Sequence, residues 1–358
     1  MEKVLIAIDQ GNSKTELITT STNGNILARR YIKYPLSVNI EVFEEKRWEY
    51  IERLFLETIS SINKSISDIA YLLAAVCGAD SEDDIEKIRQ SISNILGVSK
   101  DIIVIVSDSE AALRSAIPAM HQPSNYAVIY AGTMFNCSLL SSEGNLFTYG
   151  RSVNICDNGS YAIGQRVWKT IIDAYNGFSR ETLLVNLFLQ YHRCDSMTEL
   201  IADFSNGKRV FTPTDYTSIL FDAVRYKDKT AIEIMEHFAR RWSLYIINGL
   251  SKIGISNDAP INIALSGGLF RNYGGLWVQL ISANLSKECK SATISSVNTY
   301  PIIGAILLVL EKYNVKPLAI EIIHNVLNSY FVYYDNDLLQ QKYRRNPKSL
   351  QRVGIIEE

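Results

Sequence analysis

The chain lacks any apolar run long enough to cross a bilayer, which needs ~18 residues. Its longest run, Tyr300 to Leu310, is interrupted by Pro301 and Gly304 and reads as a buried helix. The opening apolar stretch, Val4 to Ile8, is short and leads straight into Asp9, so neither a signal segment nor a membrane contact is expected. Cationic excess is missing too: 36 Lys and Arg stand against 38 Asp and Glu, a net charge of -2. A nucleic-acid binder needs a basic face, and the densest cluster, Lys342, Arg344 and Arg345, reads as a solvated helix end. The five cysteines are odd in number, widely spaced and form no CxxC pair, so free thiols in the reducing cytoplasm are expected. His121, His192, His237 and His324 lie too far apart to form a ligand set.

With 358 residues the chain exceeds the usual size of a single core, so two domains are expected. Strands are read at Val4 to Ile8, Thr15 to Thr20 and Ile26 to Tyr31, with Asn23-Gly24 as a hairpin turn. Glu41 to Ile62 has helical apolar spacing, Ile69 to Val76 is a strand, and the acidic Ser81 to Asp84 opens a helix running to Leu96. A strand at Ile102 to Val106 then leads into a short helix from Asp108. The second half repeats this order. Strands fall at Tyr126 to Tyr130, Asn136 to Leu140 and Leu146 to Tyr149, a mostly helical stretch runs from Tyr161 to Leu250, and Ile261 to Leu265 is a strand. The reading is an α/β chain with two similar halves: lobes at 1–117 and 118–315, and a helical segment or tail at 316–358.

Four segments carry candidate chemistry. Asp9-Gln10-Gly11-Asn12-Ser13-Lys14-Thr15 is a tight turn between strands. Small residues there let backbone N–H groups approach a polyphosphate, Lys14 adds positive charge, and a strand-end Asp9 can hold hydrated Mg²⁺. Alone, such a turn is more often just an ordinary hairpin. Gly132-Thr133 occupies the corresponding turn of the second half, and two such turns make a phosphate clamp. Ser266-Gly267-Gly268 joins a strand to a helix and lets backbone lie against adenosine, or is simply a tight turn. Asp108 ends a core strand and begins a helix, so it is either a helix N-cap or a general base.

In this order the segments resemble the N-acetylglucosamine kinases and the related activator ATPases of dehydratases and benzoyl-CoA reductases, within the superfamily of sugar kinases, actin and heat-shock chaperone ATPases. That family's Asp-Gly-Gly-Gly-Thr-Lys-Thr loop corresponds to Asp9–Thr15, and its Asn-Asp-Ala base segment to Ser107-Asp108-Ser109. Its Gly-Thr-Gly-Ser-Asn loop corresponds to Gly132–Asn136, and its Gly-Asp-Glu-Gly-Ser segment to Cys156–Ser160. Its adenosine segment corresponds to Ser266–Gly268, and a closing Pro-Val-Xaa-Gly-Ala helix to Pro301–Ala305. The likeness runs from about residue 4 to 312.

The resemblance implies a two-lobed actin/hexokinase-like (ribonuclease H-like) fold, each lobe a mixed sheet flanked by helices with a cleft between. It implies Mg-ATP held by Asp9, Gly11, Asn12, Ser13, Lys14, Thr15, Gly132, Thr133, Ser266, Gly267 and Gly268, with Asp9 serving the metal. It further implies Asp108 as base, a small sugar held by Asn39, Asn136 and Asp157, and a homodimer. The expected activity is a carbohydrate kinase; an activator ATPase and a non-catalytic sugar-binding regulator are the alternatives. Arg151 stands where relatives carry an aromatic. It either favours a sugar with an acidic or more polar substituent or points to solvent.

Overall fold

A computed structural model describes residues 2–34, 40–117, 124–271, 273–297, 300–314 and 318–345. The first sheet takes β1 (Val4–Gln10), β2 (Lys14–Ser21), β3 (Ile26–Lys33), β4 (Ile69–Val76) and β5 (Ile103–Ser107) in the order β3-β2-β1-β4-β5. Strands β1 to β3 form an antiparallel meander, while β4 and β5 run parallel to β1. All of β1 is buried because helices cover both sheet faces. Side chains alternate, so Val4, Ile6 and Ile8 join one core and Leu5 and Ala7 another. The first core packs under α1 (Ile40–Ser61) and α2 (Glu82–Leu96). Helix α2 begins where Ser81 Oγ accepts from the Asp84 N–H, with three acids in its first turn, and ends at Gly97 at φ 65°.

The second sheet repeats the plan. Strands β6 (Asn125–Ala131), β7 (Phe135–Leu140) and β8 (Leu146–Thr148) are antiparallel. Strands β9 (Ile261–Ser266) and β10 (Ala292–Ser296) add parallel to β6, giving the order β10-β9-β6-β7-β8. The half-repeat read in the sequence is thus a repeat of topology, strand for strand. Strand β10 had no sequence reading; apart from Ile294 its residues are polar or small, and no residue in it is fully buried. Between β8 and β9 lie α4 (Gly159–Tyr175), α5 (Leu183–His192), α6 (Met197–Ser205), α7 (Thr217–Arg225) and α8 (Lys229–Leu250). Helix α9 (Gly274–Leu285) follows β9.

Two helices tie the halves together. Helix α3 (Asp108–Ala116) follows β5 and packs through Ala112 and Leu113 on Tyr126, Val128 and Ala264 of the second sheet. Helix α10 (Pro301–Asn314) returns to the first half, where Ile302, Ile306 and Leu310 pack with Leu5, Ala7 and Leu73. The expected boundary at 315 assigns α10 to the second lobe; its apolar face belongs to the first. The two helices cross at Gly304, where a Cβ would overlap the Ala111 carbonyl. The segment read as a helix or tail is α11 (Ile320–Arg345), which seats Ile322 and Val326 beside Gly24 at the β2–β3 turn.

Candidate active site

A cavity of about 1180 Å³ lies between the halves. Its chemistry comes from the carboxyl ends of the parallel strands, where open α/β sheets collect ligands. Asp9 is the penultimate residue of β1, Cys77 follows β4, Asp108 follows β5, Gly132 follows β6 and Gly267 follows β9; all line the cavity.

The first hairpin is held by the Gly11 N–H donating to the Lys14 carbonyl, and by the Tyr34 N–H donating to the Ser13 carbonyl. Gly11, Asn12, Ser13 and Lys14 line the cavity. Thr15 does not: it is buried and its hydroxyl bonds to the Tyr34 hydroxyl. On the opposite wall the Gly132 and Thr133 carbonyls accept from the N–H groups of Ser160 and Tyr161 in the first turn of α4. A Cβ at Gly132 or at Gly268 would meet nothing, so both glycines open onto free space. Gly267 lies at φ 107°, and a Cβ there would overlap the Ala131 backbone; only glycine lets β6 and β9 end this close. Ser266 is buried behind them, with its Oγ unpartnered and off the cavity wall.

Asp108 is not the helix cap. Ser107 is: its Oγ accepts from the Glu110 N–H at 3.1 Å. That leaves Asp108 as the first residue of α3, on the cavity wall. Burial pushes its carboxyl up to about 7, and the nearby Asp9 charge adds to the effect, against a lowering hydrogen bond from the Ser109 backbone. Hydroxyls fasten this helix start to the second sheet: Ser107 with Ser109 at 3.0 Å, Ser138 donating to Ser109 at 2.9 Å, and Ser138 with Thr148 at 2.7 Å. Asp9 is buried as well, and burial raises its carboxyl to about 6 although Lys14 opposes the shift.

The residues carried over for the sugar fare differently. Asn136 lines the cavity, and its Oδ1 accepts from the Gly150 N–H at 3.0 Å. Asn39 lies outside the described residues. Asp157 is off the cavity wall. Arg241 donates to it twice, at 2.9 and 2.6 Å, and the Tyr245 hydroxyl once at 3.0 Å, so it locks α8 to the loop before α4. Its neighbour Asn158 lines the cavity instead and accepts from the Phe135 N–H at 2.7 Å. Arg151 lines the cavity but reaches across it. Its Nη2 donates to Asp84 Oδ1 at 2.8 Å, and Asp80 lies 3.9 Å from its Nε.

Sequence reading missed several wall residues. Lys33 and Arg271 add cations. Beside Gly267 and Gly268 stand Tyr273 and Phe221, whose rings stack with centroids 4.0 Å apart, together with Thr217, Ser218 and Asp222 of α7. The residues of α7 come from a helical stretch with no motif. Only Arg271 and Tyr273, just past the Gly-Gly turn, were near a recognisable signal.

The sequence profile of the BadF/BadG/BcrA/BcrD ATPase family matches residues 6–309. The chain belongs to that family. A relative, the N-acetyl-D-glucosamine kinase of Dictyostelium discoideum, is 24% identical over 326 residues, which is 87% of this chain and 99% of that one. A Chromobacterium violaceum protein provisionally assigned as an N-acetylglucosamine kinase superposes with TM-score 0.61 at 17% identity, over 86% of this chain and 99% of its own. A ROK hexokinase of Thermus thermophilus superposes at 0.55 with 12% identity, over 87% of this chain and all of its own. The fold is therefore the actin/hexokinase-like α/β fold expected from the sequence, and this family member is a sugar-kinase-like protein. Family membership implies ATP use, and the cleft is consistent with it. Gly132 and Gly268 leave backbone open beside free space, and Asp9 presents a buried carboxylate of the type magnesium takes.

Proposed function

We propose that the protein is an ATP-dependent kinase of a small neutral sugar, an amino sugar or hexose resembling N-acetylglucosamine. The observation that carries this is Asp108: freed from capping by Ser107, set on the cleft wall, and poised to take a proton near neutral pH. The name of the Dictyostelium relative, matched along nearly its whole length, supports the same chemistry.

In this reading the triphosphate lies between the Gly11–Lys14 hairpin and Gly132–Thr133, with Lys14 and Arg271 on its charge. The adenosine lies along Gly267 and Gly268, beside Tyr273. Magnesium would be held through Asp9 and would neutralise phosphate charge. Asp108 accepts the proton of a sugar hydroxyl; that oxygen bonds to the γ-phosphorus, the bond to the bridging oxygen breaks, and ADP leaves. Such a transfer asks the protein mainly for position and charge neutralisation. The lobes form the protein's proposed moving units, with α3, bearing Asp108, between them.

A coupled assay of ADP release with a panel of hexoses and amino sugars tests the proposal. Release that depends on a sugar and yields sugar phosphate supports it. Sugar-independent hydrolysis would favour an activator ATPase, and sugar binding without turnover a regulator; either result sinks the kinase.

A further inference from the structure

The first hairpin carries more charge than the proposed reaction uses. Glu16 pairs with Asp9 across β1 and β2, on the same face of the sheet, and is 1% exposed. Two cations share its carboxylate: Lys14 Nζ at 2.6 Å on one oxygen and Arg29 Nε at 2.6 Å on the other. Arg29 is itself held, its guanidinium lying over the rings of Tyr31 and the fully buried Tyr330. Tyr330 belongs to α11, which lies beyond the family match. Tyr300 packs against Tyr330 and faces both Lys14 and Arg271.

A buried carboxylate is costly unless paired. Burial alone raises the Glu16 carboxyl, but Lys14 and Arg29 outweigh it and hold it below its usual range. Burial alone lowers Lys14, and Glu16 and Asp9 reverse that. At 2.6 Å the ammonium and the carboxylate form a tight, buried ion pair. Asp9 also pairs with this ammonium, but at 3.7 Å, much looser than the 2.6 Å contact with Glu16.

We infer that Glu16 is a positioning residue: it holds the Lys14 ammonium toward the phosphates and off Asp9, leaving the Asp9 carboxylate open to a cation. The inference rests on the nucleotide site proposed above. Once Glu16 is neutralised, Asp9 is the carboxylate that remains within 4 Å of Lys14 among the described residues. A direct Lys14–Asp9 pair would then occupy the metal's oxygen.

Calorimetric titration with the magnesium complex of a non-hydrolysable ATP analogue tests this on the full chain. Glu16→Gln is expected to weaken binding by about 10- to 100-fold, the usual effect of removing a group that orients a metal-bearing residue. It should raise the magnesium concentration at half-saturation, leave sugar affinity unchanged, and be partly rescued by Glu16→Asp. In a Lys14→Gln background, adding Glu16→Gln should change nothing further. Unchanged nucleotide affinity, equal losses for nucleotide and sugar, or additive effects of the two substitutions would each overturn the inference. If Glu16→Gln alone does not fold, the comparison of Lys14→Gln with the double variant decides. A wild type that binds no magnesium nucleotide removes the nucleotide site and this inference together; a wild type that binds it no better than Glu16→Gln removes the inference alone.

Discussion

At the residue scale, Asp108 and its neighbour Ser107 divide two jobs that one carboxylate can do. The serine satisfies the helix N–H group, so the carboxylate stays available on the cleft wall. Asp108→Asn should therefore lower kcat by about 10²- to 10⁴-fold while nucleotide affinity holds. A variant with near wild-type turnover removes the base assignment. The base must be ionised to work, and burial raises it to about 7, so wild-type kcat/KM should fall as pH drops below that value. Stability moves in the opposite sense. The folded carboxyl keeps its proton up to about 7 while the unfolded one, at an ordinary 3.8, has already lost it. Ligand-free wild type should lose stability as pH rises through that window, and Asp108→Asn should lose less, keeping only the part that the buried carboxyls of Asp9 and Glu110 contribute in the same sense. The gap in Tm between them should widen from about pH 4 to pH 7; a constant gap would place the carboxyl in water. Gly268→Val puts a side chain into the free space beside that glycine and should weaken nucleotide binding while sugar binding holds. Unchanged nucleotide affinity in a folded variant would move the adenosine elsewhere.

At the element scale, α3 is fixed by contacts that reach it from both halves. On one side Gly304 lets α10 cross it at backbone distance; on the other Ala112 and Leu113 meet the second sheet. Gly304→Val must push α10 and α3 apart, and because Asp108 is the first residue of α3, Tm and kcat should fall together. Gly275→Val, at a position where a Cβ meets nothing, is the control and should leave kcat intact. A Gly304→Val protein with lowered Tm and full kcat would show that the base does not depend on this crossing. Most elements were legible in the sequence because burial writes a pattern: β1 and β4 are continuous apolar runs, and α2 opens on acids. The short polar β10 left no such signal, and neither did the cavity-facing side of α7, since Ser218, Phe221 and Asp222 read simply as one helix among several. The side of the molecule to which α10 returns is a matter of long-range packing that no local pattern encodes.

At the scale of the whole molecule, the two halves touch across the cleft mouth as well as through α3. Arg151, in the turn after β8, reaches Asp84 and Asp80 at the start of α2. In the sequence Asp157 maps onto a sugar contact of the resembled family, while Arg151 either meets an acidic sugar or points to solvent; in the structure Arg151 bridges the lobes and Asp157 is locked under Arg241. With its guanidinium already paired, Arg151 offers no free charge to an acidic sugar. Replacing it with Trp should leave the kcat/KM ratio for neutral and acidic sugars unchanged. If the lobes close on a sugar, such a bridge acts on that closure. A bridge that favours the closed cleft raises sugar affinity by the free energy it contributes to that state. The Arg151 side chain is 69% exposed, so the pair is weak and Arg151→Gln should raise the sugar KM by at most about fivefold, with kcat unchanged. Salt should do the same to wild type by screening the pair, and should do little to the variant. Equal salt sensitivity in the two proteins, or a variant whose kcat falls while its KM holds, would show that Arg151 does not act on closure.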